Sequence, residues 1–223
     1  MSAKTIKYSQ RLGDVLRCLP AAKLLADQGH EVFFDCLPQY HSVFDLVSYV
    51  KAGSKGDVID LEVWPNKYEE YRKSKKTWTD FVYNRPEIKE ADKENIVLDK
   101  LDDKESKYFP KQYNLVAPFG ISQGHRNNPL EIITRARAEM GKANFYVMTP
   151  PDIKIEGLFT YTALDIHDMA RAIRGADMFW AINSTPIILA SSVRKDKNTG
   201  FFPQKNEWAT DNIFDFEGMI KLD

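Results

Sequence analysis

Residues 4–28, KTIKYSQRLGDVLRCLPAAKLLADQ, decide the fold. The opening positions read as a short β-branched strand, followed by a Gly-Asp turn and then a long amphipathic helix. Leu16, Leu19, Leu24 and Leu25 supply the apolar face of that helix at roughly helical spacing. Gly13 suits a tight or positive-φ turn, and Asp14 stands where a helix N-cap belongs. A strand that feeds a glycine turn and a helix N-terminus is how open α/β proteins build ligand sites at the carboxyl edge of a sheet. On spacing alone Asp14 is a plain cap, with a role in a site as the alternative.

The pattern repeats outward from this stretch. Gly29 is placed to stop the helix, and HEVFFDC (30–36) follows as a second, mostly apolar strand, which completes a βαβ unit. SVFDLVSYV (42–50) predicts a second helix and DVIDLEV (57–63) a third strand. From Pro65 the chain turns highly charged, with irregularly spaced aromatics, and reads as one or two helices broken near Pro86. Residues 88–103 read as an exposed charged helix or connector. The polar stretch DKLDDKESKYFPKQ (99–112) then marks a domain boundary.

A second strand-helix alternation begins at YNLVAPF (113–119). The loop GISQGHRNNP leads into a helix at 130–141 closed by Gly141, and strands follow at 144–150 and 157–161. A helix at 165–177 is capped by Asp165, with Asp168 completing a capping-box-like start. MFWAI (178–182) is a buried strand, and STPIILASSV (184–193) a helix with Pro186 in its first turn. The expectation is an α/β chain of two small doubly wound Rossmann-like halves facing a cleft, residues 1–105 and 106–223.

Composition narrows the function classes. The chain has 223 residues, 43% hydrophobic and 28% charged, with a formal net charge of -1. That balance argues against binding polyanions over the whole surface and leaves room for a local basic patch. The start, MSAKTIKYS, lacks the apolar stretch of a signal peptide, and no apolar run approaches the ~20 residues needed to span a bilayer. Cys18 and Cys36 have no metal-ligand spacing and read as reduced core thiols of a cytoplasmic protein. His30, His41, His125 and His167 are likewise scattered without ligand spacing, so no metal is expected.

Three stretches resemble the heptosyltransferase-like glycosyltransferases, which have the two-Rossmann-domain GT-B fold. RLGDVLRCLPAAKLLADQGHEV is similar to the family's N-terminal motif, in which a Gly-Asp pair opens the first helix and a proline follows six residues after the Asp; here these are Gly13, Asp14 and Pro20. APFGISQGHRNNPLEI matches the start of the second half, with Ser122 in the loop and Arg126 three residues before Pro129. IHDMARAIRGADMFWAINSTPIILASS resembles the helix, strand and C-terminal phosphate loop. That loop departs from the family pattern, which carries an acidic residue, then Ser or Thr, then glycine, with a histidine three residues on. This chain has Asn183, Ser184, Thr185 and Pro186, and Ile188 stands where the histidine would be. The chain is also much shorter than typical members.

The resemblance implies an inverting glycosyltransferase that moves a sugar from a nucleotide diphosphate to an acceptor hydroxyl. In that reading Asp14 is the general base, and its helix N-terminus keeps it ionised and a weak base. Arg126 offers a planar charged fork to the diphosphate, aided by Ser122, Gln123 and the amides near Gly120 and Gly124. Asn183, Ser184 and Thr185 hold a phosphate at a helix N-terminus. Each has a plainer alternative: an exposed loop arginine, and an ordinary helix cap. Arg11 and Gly13 border the acceptor. The N-terminal half is then the acceptor domain and the C-terminal half the nucleotide-sugar donor domain, with no cofactor beyond the donor substrate.

Arg72, Lys73, Lys75 and Lys76, mixed with Tyr68, Tyr71 and Trp78, suit an anionic acceptor, although Glu69 and Glu70 dilute the charge. The family precedent points to a lipopolysaccharide core sugar. Small phage-type enzymes of this fold point instead to hydroxymethylated DNA bases, which receive glucose or arabinose. A non-catalytic nucleotide-sugar-binding protein is the competing reading. A single-domain dehydrogenase-like or flavodoxin-like binder is disfavoured because no G-x-G-x-x-G fingerprint is present.

Overall fold

Thr5 and Ile6, both fully buried, form the spine of the first of two parallel sheets. In the computed structural model, which describes residues 2–120, 128–194, 198–203 and 218–222, the chain divides into two compact units, the first running to Leu101 and the second beginning at Asp102. Unit 1 carries strands β1 (Ala3–Lys7), β2 (Glu31–Asp35), β3 (Lys51–Ala52) and β4 (Asp57–Asp60), all parallel in the order β3-β2-β1-β4. β1 is central, pairing with β2 through Lys4 and Val32 and with β4 through Lys4 and Asp57. Thr5 pays no penalty for its buried hydroxyl, because Oγ1 donates to the Lys55 carbonyl at 2.8 Å and accepts from its amide at 2.7 Å.

Between β1 and β2 the chain forms α1 (Leu12–Arg17) and α2 (Leu19–Asp27), joined through Cys18 in a helical conformation. Leu16, Leu19, Ala21, Ala22 and Leu25 are buried against the sheet, so the leucine pattern marks the packed face. Gly29, at φ +85°, ends the helix in the left-handed region as its position suggests. β2 buries Val32 and Phe34 and leaves Glu31, Phe33 and Asp35 half-buried. Lys51 and Lys55 pair with Glu31, and the Lys55 ammonium lies over the Phe33 ring.

The helix expected at 42–50 is instead a 3-10 helix at Pro38–Leu46. Val47 leaves the helical region at ψ 151°, and its valine-rich continuation turns into the short strand β3. Helices α3 (Tyr68–Ser74) and α4 (Trp78–Val82) occupy the charged stretch. Residues 88–101 are turns and extended chain anchored by buried Ile88 and Ile96, not a helix.

Unit 2 has a six-stranded parallel sheet in the order β10-β9-β8-β5-β6-β7. Its strands are β5 (Asn114–Ala117), β6 (Phe145–Met148), β7 (Phe159–Tyr161), β8 (Met178–Ile182), β9 (Thr199–Phe202) and β10 (Ile220–Lys221). Helices α5 (Pro129–Met140), α6 (Ile166–Gly175) and α7 (Thr185–Val193) connect them. Val116, Ile133, Val147, Trp180 and Phe202 are central to the core. Asp165 caps α6 by accepting from the Asp168 amide at 2.7 Å, as its spacing predicts. Arg171 grips Asp102 with two bonds of 2.9 and 2.7 Å and holds that carboxyl down at about 2. The fold is α/β, with two parallel-sheet halves.

Candidate functional site

The chain leaves β1 at Lys7 and reaches α1 within four residues, at the carboxyl edge of the sheet. Arg11, exposed and extended at φ -150° and ψ 143°, is the residue that precedes the helix. The first helical bond runs from the Val15 amide to the Arg11 carbonyl at 3.0 Å. Gly13 is therefore buried inside the first turn and is not a positive-φ turn residue, and Asp14 is the third helical residue and not the cap. The bend lies at Gln10, three residues earlier than glycine suggested, and is made without a left-handed residue.

Asp14 is half-buried, and its Oδ2 accepts a hydrogen bond of 2.9 Å from the Tyr8 hydroxyl. Tyr8 is 0% exposed, held at the end of β1 by its amide bond to the Asp35 carbonyl. Its ring meets Trp78 of α4 edge-on, with centroids 5.5 Å apart. Burial raises the Asp14 pKa to about 6, against the opposing pull of the Tyr8 bond and of the Arg11 and Arg17 charges. Desolvation thus outweighs the Tyr8 hydrogen bond and the two arginine charges, and Asp14 is a stronger base than an ordinary aspartate while still mostly ionised at pH 7. Burial and the Asp14 charge push the Tyr8 phenol far upward, so it remains a donor.

The surroundings are tied together by buried contacts. Arg17 is fully buried and its guanidinium reaches Glu94 at 3.1 Å. The Tyr83 hydroxyl donates to the Arg17 carbonyl at 2.6 Å and accepts from the Ala21 amide at 3.3 Å, which pins the α1–α2 junction. Cys18 lies fully buried beside them, its thiol pushed up by burial and by Asp14. Both cysteines are free and buried. Glu62, just beyond β4, accepts from the Ser9 amide at 3.1 Å and from the Ser9 hydroxyl, tying down the turn before α1.

The charged stretch carries an aromatic stack: Trp64 and Tyr68 lie 3.8 Å apart at 20°, and the Arg72 guanidinium sits 5.9 Å from the Tyr68 ring centre. Tyr71 is pushed up to about 12, by burial first and by Tyr68 and Asp14 after it. Arg72 pairs with Glu69 at 3.6 Å, and Lys73, Lys75 and Lys76 are exposed.

In unit 2, Ser122, Gln123, Gly124, His125 and Arg126 lie outside the described residues. Asn183, Ser184 and Thr185 run from β8 into α7, with Pro186 in its first turn. Ser184 holds the N-cap position in an extended conformation, yet no side chain caps the helix, and the Ser184 hydroxyl donates to the Ile182 carbonyl at 3.3 Å. The Asn183 Oδ1 atom is buried without a hydrogen-bond partner among the described residues. Among the described residues, no group of three His, Cys, Asp or Glu side chains comes together to hold a metal ion. No described helix is long and apolar enough to cross a membrane.

Solved glycosyltransferases share this fold. The glycosyl transferase family 9 protein from Veillonella parvula superposes with a TM-score of 0.66 at 12% identity, over 99% of this chain and 85% of that one. The iron-containing dodecameric glycosyltransferase TibC from enterotoxigenic E. coli gives 0.63 at 14% identity, over 90% of this chain. This chain spans 58% of TibC's length. E. coli heptosyltransferase WaaC, solved with ADP, gives 0.57 at 12% identity, over 92% of this chain and 88% of that one. No protein-family model matches the sequence, and no curated protein matches it. What is shared at these identities is the GT-B type of α/β fold.

Proposed function

We propose that the protein is an inverting, nucleotide-sugar-dependent glycosyltransferase with Asp14 as its general base. The observation that carries the reading is the Asp14 carboxylate itself, half-buried at the carboxyl edge of β1 and raised to about 6. The acceptor hydroxyl attacks the anomeric carbon from the face opposite the leaving group. A carbon–oxygen bond to the acceptor forms, the bond to the diphosphate breaks, and the proton passes to Asp14. Unit 1 takes the acceptor, with exposed Arg11 bordering it, and unit 2 takes the donor. Arg126, Ser122 and Gln123 bind the diphosphate, and the α7 N-terminus behind Ser184 and Thr185 supplies backbone N–H groups to a phosphate. The buried Asn183 oxygen, without a partner among the described residues, suits a hydroxyl of the donor.

The acceptor is anionic, and the reading favours hydroxymethylated DNA over a lipopolysaccharide core sugar. The Trp64–Tyr68 stack offers π-faces to bases, and exposed Lys73, Lys75 and Lys76 offer charge to a phosphate backbone. Incubation with pooled nucleotide sugars and both acceptors, followed by mass spectrometry, tests the proposal. A pentose or hexose added to hydroxymethylcytosine DNA is the expected result. Transfer to the core oligosaccharide alone corrects the acceptor. Donor binding with no transfer to either overturns catalysis in favour of a nucleotide-sugar-binding protein, the reading suggested by the altered loop at Asn183–Ser184–Thr185.

A further inference from the structure

We infer that Tyr8 is the positioning residue for Asp14: its buried phenol fixes Oδ2 of the carboxylate and leaves Oδ1 to take the proton of the incoming hydroxyl. The inference rests on the reading of Asp14 as base. Three observations place Tyr8 in this role. Its hydroxyl lies 2.9 Å from Oδ2. Its side chain is fully buried, clamped between the end of β1 and the edge of Trp78. The contact joins two elements, the end of β1 and the first turn of α1, so it sets the carboxylate against the rigid sheet and not merely against its own helix. A carboxylate in the first turn of a helix has rotamer freedom, and one fixed oxygen removes it.

The titratable and charged groups facing Asp14 are Tyr8, Arg11, Arg17, Cys18 and Tyr71. Arg11 and Arg17 act through their charge, whereas Tyr8, among the described residues, both donates a hydrogen bond to Asp14 and is itself buried. Removing that bond leaves the carboxylate desolvated with less to stabilise its ionised form, so its titration must move upward.

The test uses the full chain with the Asp14 carboxyl carbon observed by NMR across pH, alongside the pH profile of kcat. Tyr8→Phe keeps the ring that packs on Trp78 and removes the donor. It should move the Asp14 midpoint and the acid limb of kcat up by about one pH unit, with the donor KM unchanged. Site-specific replacement of Tyr8 by 3-fluorotyrosine, a stronger donor, should move the midpoint down. Opposite displacements establish the role, and a packing role would produce neither. A midpoint that stays put in both variants overturns the inference. The base reading fails separately: full turnover by Asp14→Asn would refute it whatever Tyr8 does to the titration.

Discussion

Asp14→Asn is expected to make the protein more stable at neutral pH while abolishing transfer. The Asp14 pKa is raised from 3.8 to about 6 in the folded protein, chiefly by desolvation. The folded state therefore binds a proton more tightly than the unfolded chain, and between roughly pH 4 and pH 6 it carries more protons. Stability attributable to this group is greatest below pH 4, falls as pH rises through that window, and stays lower above it. A shift of about two units corresponds to about 3 kcal/mol at 1.36 kcal/mol per unit. Because the carboxylate is only half-buried, solvent screening brings the expected cost down to about 1–2 kcal/mol. Asparagine keeps an oxygen that accepts from the Tyr8 hydroxyl and carries no charge to desolvate. Urea unfolding of parent and variant at pH 4 and pH 8 measures the difference. The variant should gain about 1–2 kcal/mol at pH 8, a few degrees in Tm for a chain of this size, and close to nothing at pH 4. An equal difference at both pH values, or a parent more stable at pH 8, would refute the electrostatic reasoning.

Other perturbations probe the frame around this residue. Arg17→Met leaves Glu94 without its 3.1 Å partner beside a buried junction and should cost about 3 kcal/mol by denaturant midpoint; a change below 0.5 kcal/mol, roughly the scatter of surface substitutions, would count against the ion pair. Gly56 has φ +76°, and a Cβ there would stand 2.1 Å from the Ala3 carbonyl oxygen, so Gly56→Ala should cost well over the ~1 kcal/mol of backbone strain alone. Gly29→Ala, at φ +85° with no heavy atom within 4 Å of the added Cβ, isolates the strain and should cost about 1 kcal/mol. Replacing Lys73, Lys75 and Lys76 with glutamate should raise the acceptor KM for DNA about tenfold or more at low salt and leave the donor KM alone; unchanged DNA kinetics would remove this surface from the acceptor site.

Most of the alternation was legible because parallel strands and their helices carry strong local signals. MFWAI is β8 as its apolar run predicts, and Asp165 and Pro186 mark helix starts where sequence places them. Residues 42–50 misled because Val43, Phe44, Leu46 and Val47 are all buried, so their apolar spacing reflects packing and not helical period. Residues 88–101 looked exposed because two isoleucines, Ile88 and Ile96, do the anchoring among charged neighbours. β9 and β10 were missed because each is a short strand whose place in the sheet is fixed by pairing distant in sequence.

The Gly-Asp pair singles out Asp14 in the sequence, but the setting of its carboxylate is not legible there. Tyr8 stands six residues before Asp14, a spacing that fits neither helix nor strand, and the two meet only because β1 ends where α1 begins. Glu62 reaches Ser9 across 53 residues, and Trp78 reaches Tyr8 across 70, contacts no local pattern announces. The capping role assigned to Asp14 failed for a related reason. The helix starts as soon as the Arg11 carbonyl finds the Val15 amide, three residues before Asp14, and burial then decides the carboxylate's behaviour.

The most direct measurement is a single comparison of Asp14→Asn with the parent, reading nucleotide-sugar affinity by calorimetry and sugar transfer by mass spectrometry on the same preparations. If the carboxylate in the first turn of α1 removes the acceptor's proton, the variant binds donor within about twofold of the parent and transfers at least a hundredfold more slowly. Transfer at the parent's rate, with donor bound equally well, would contradict it.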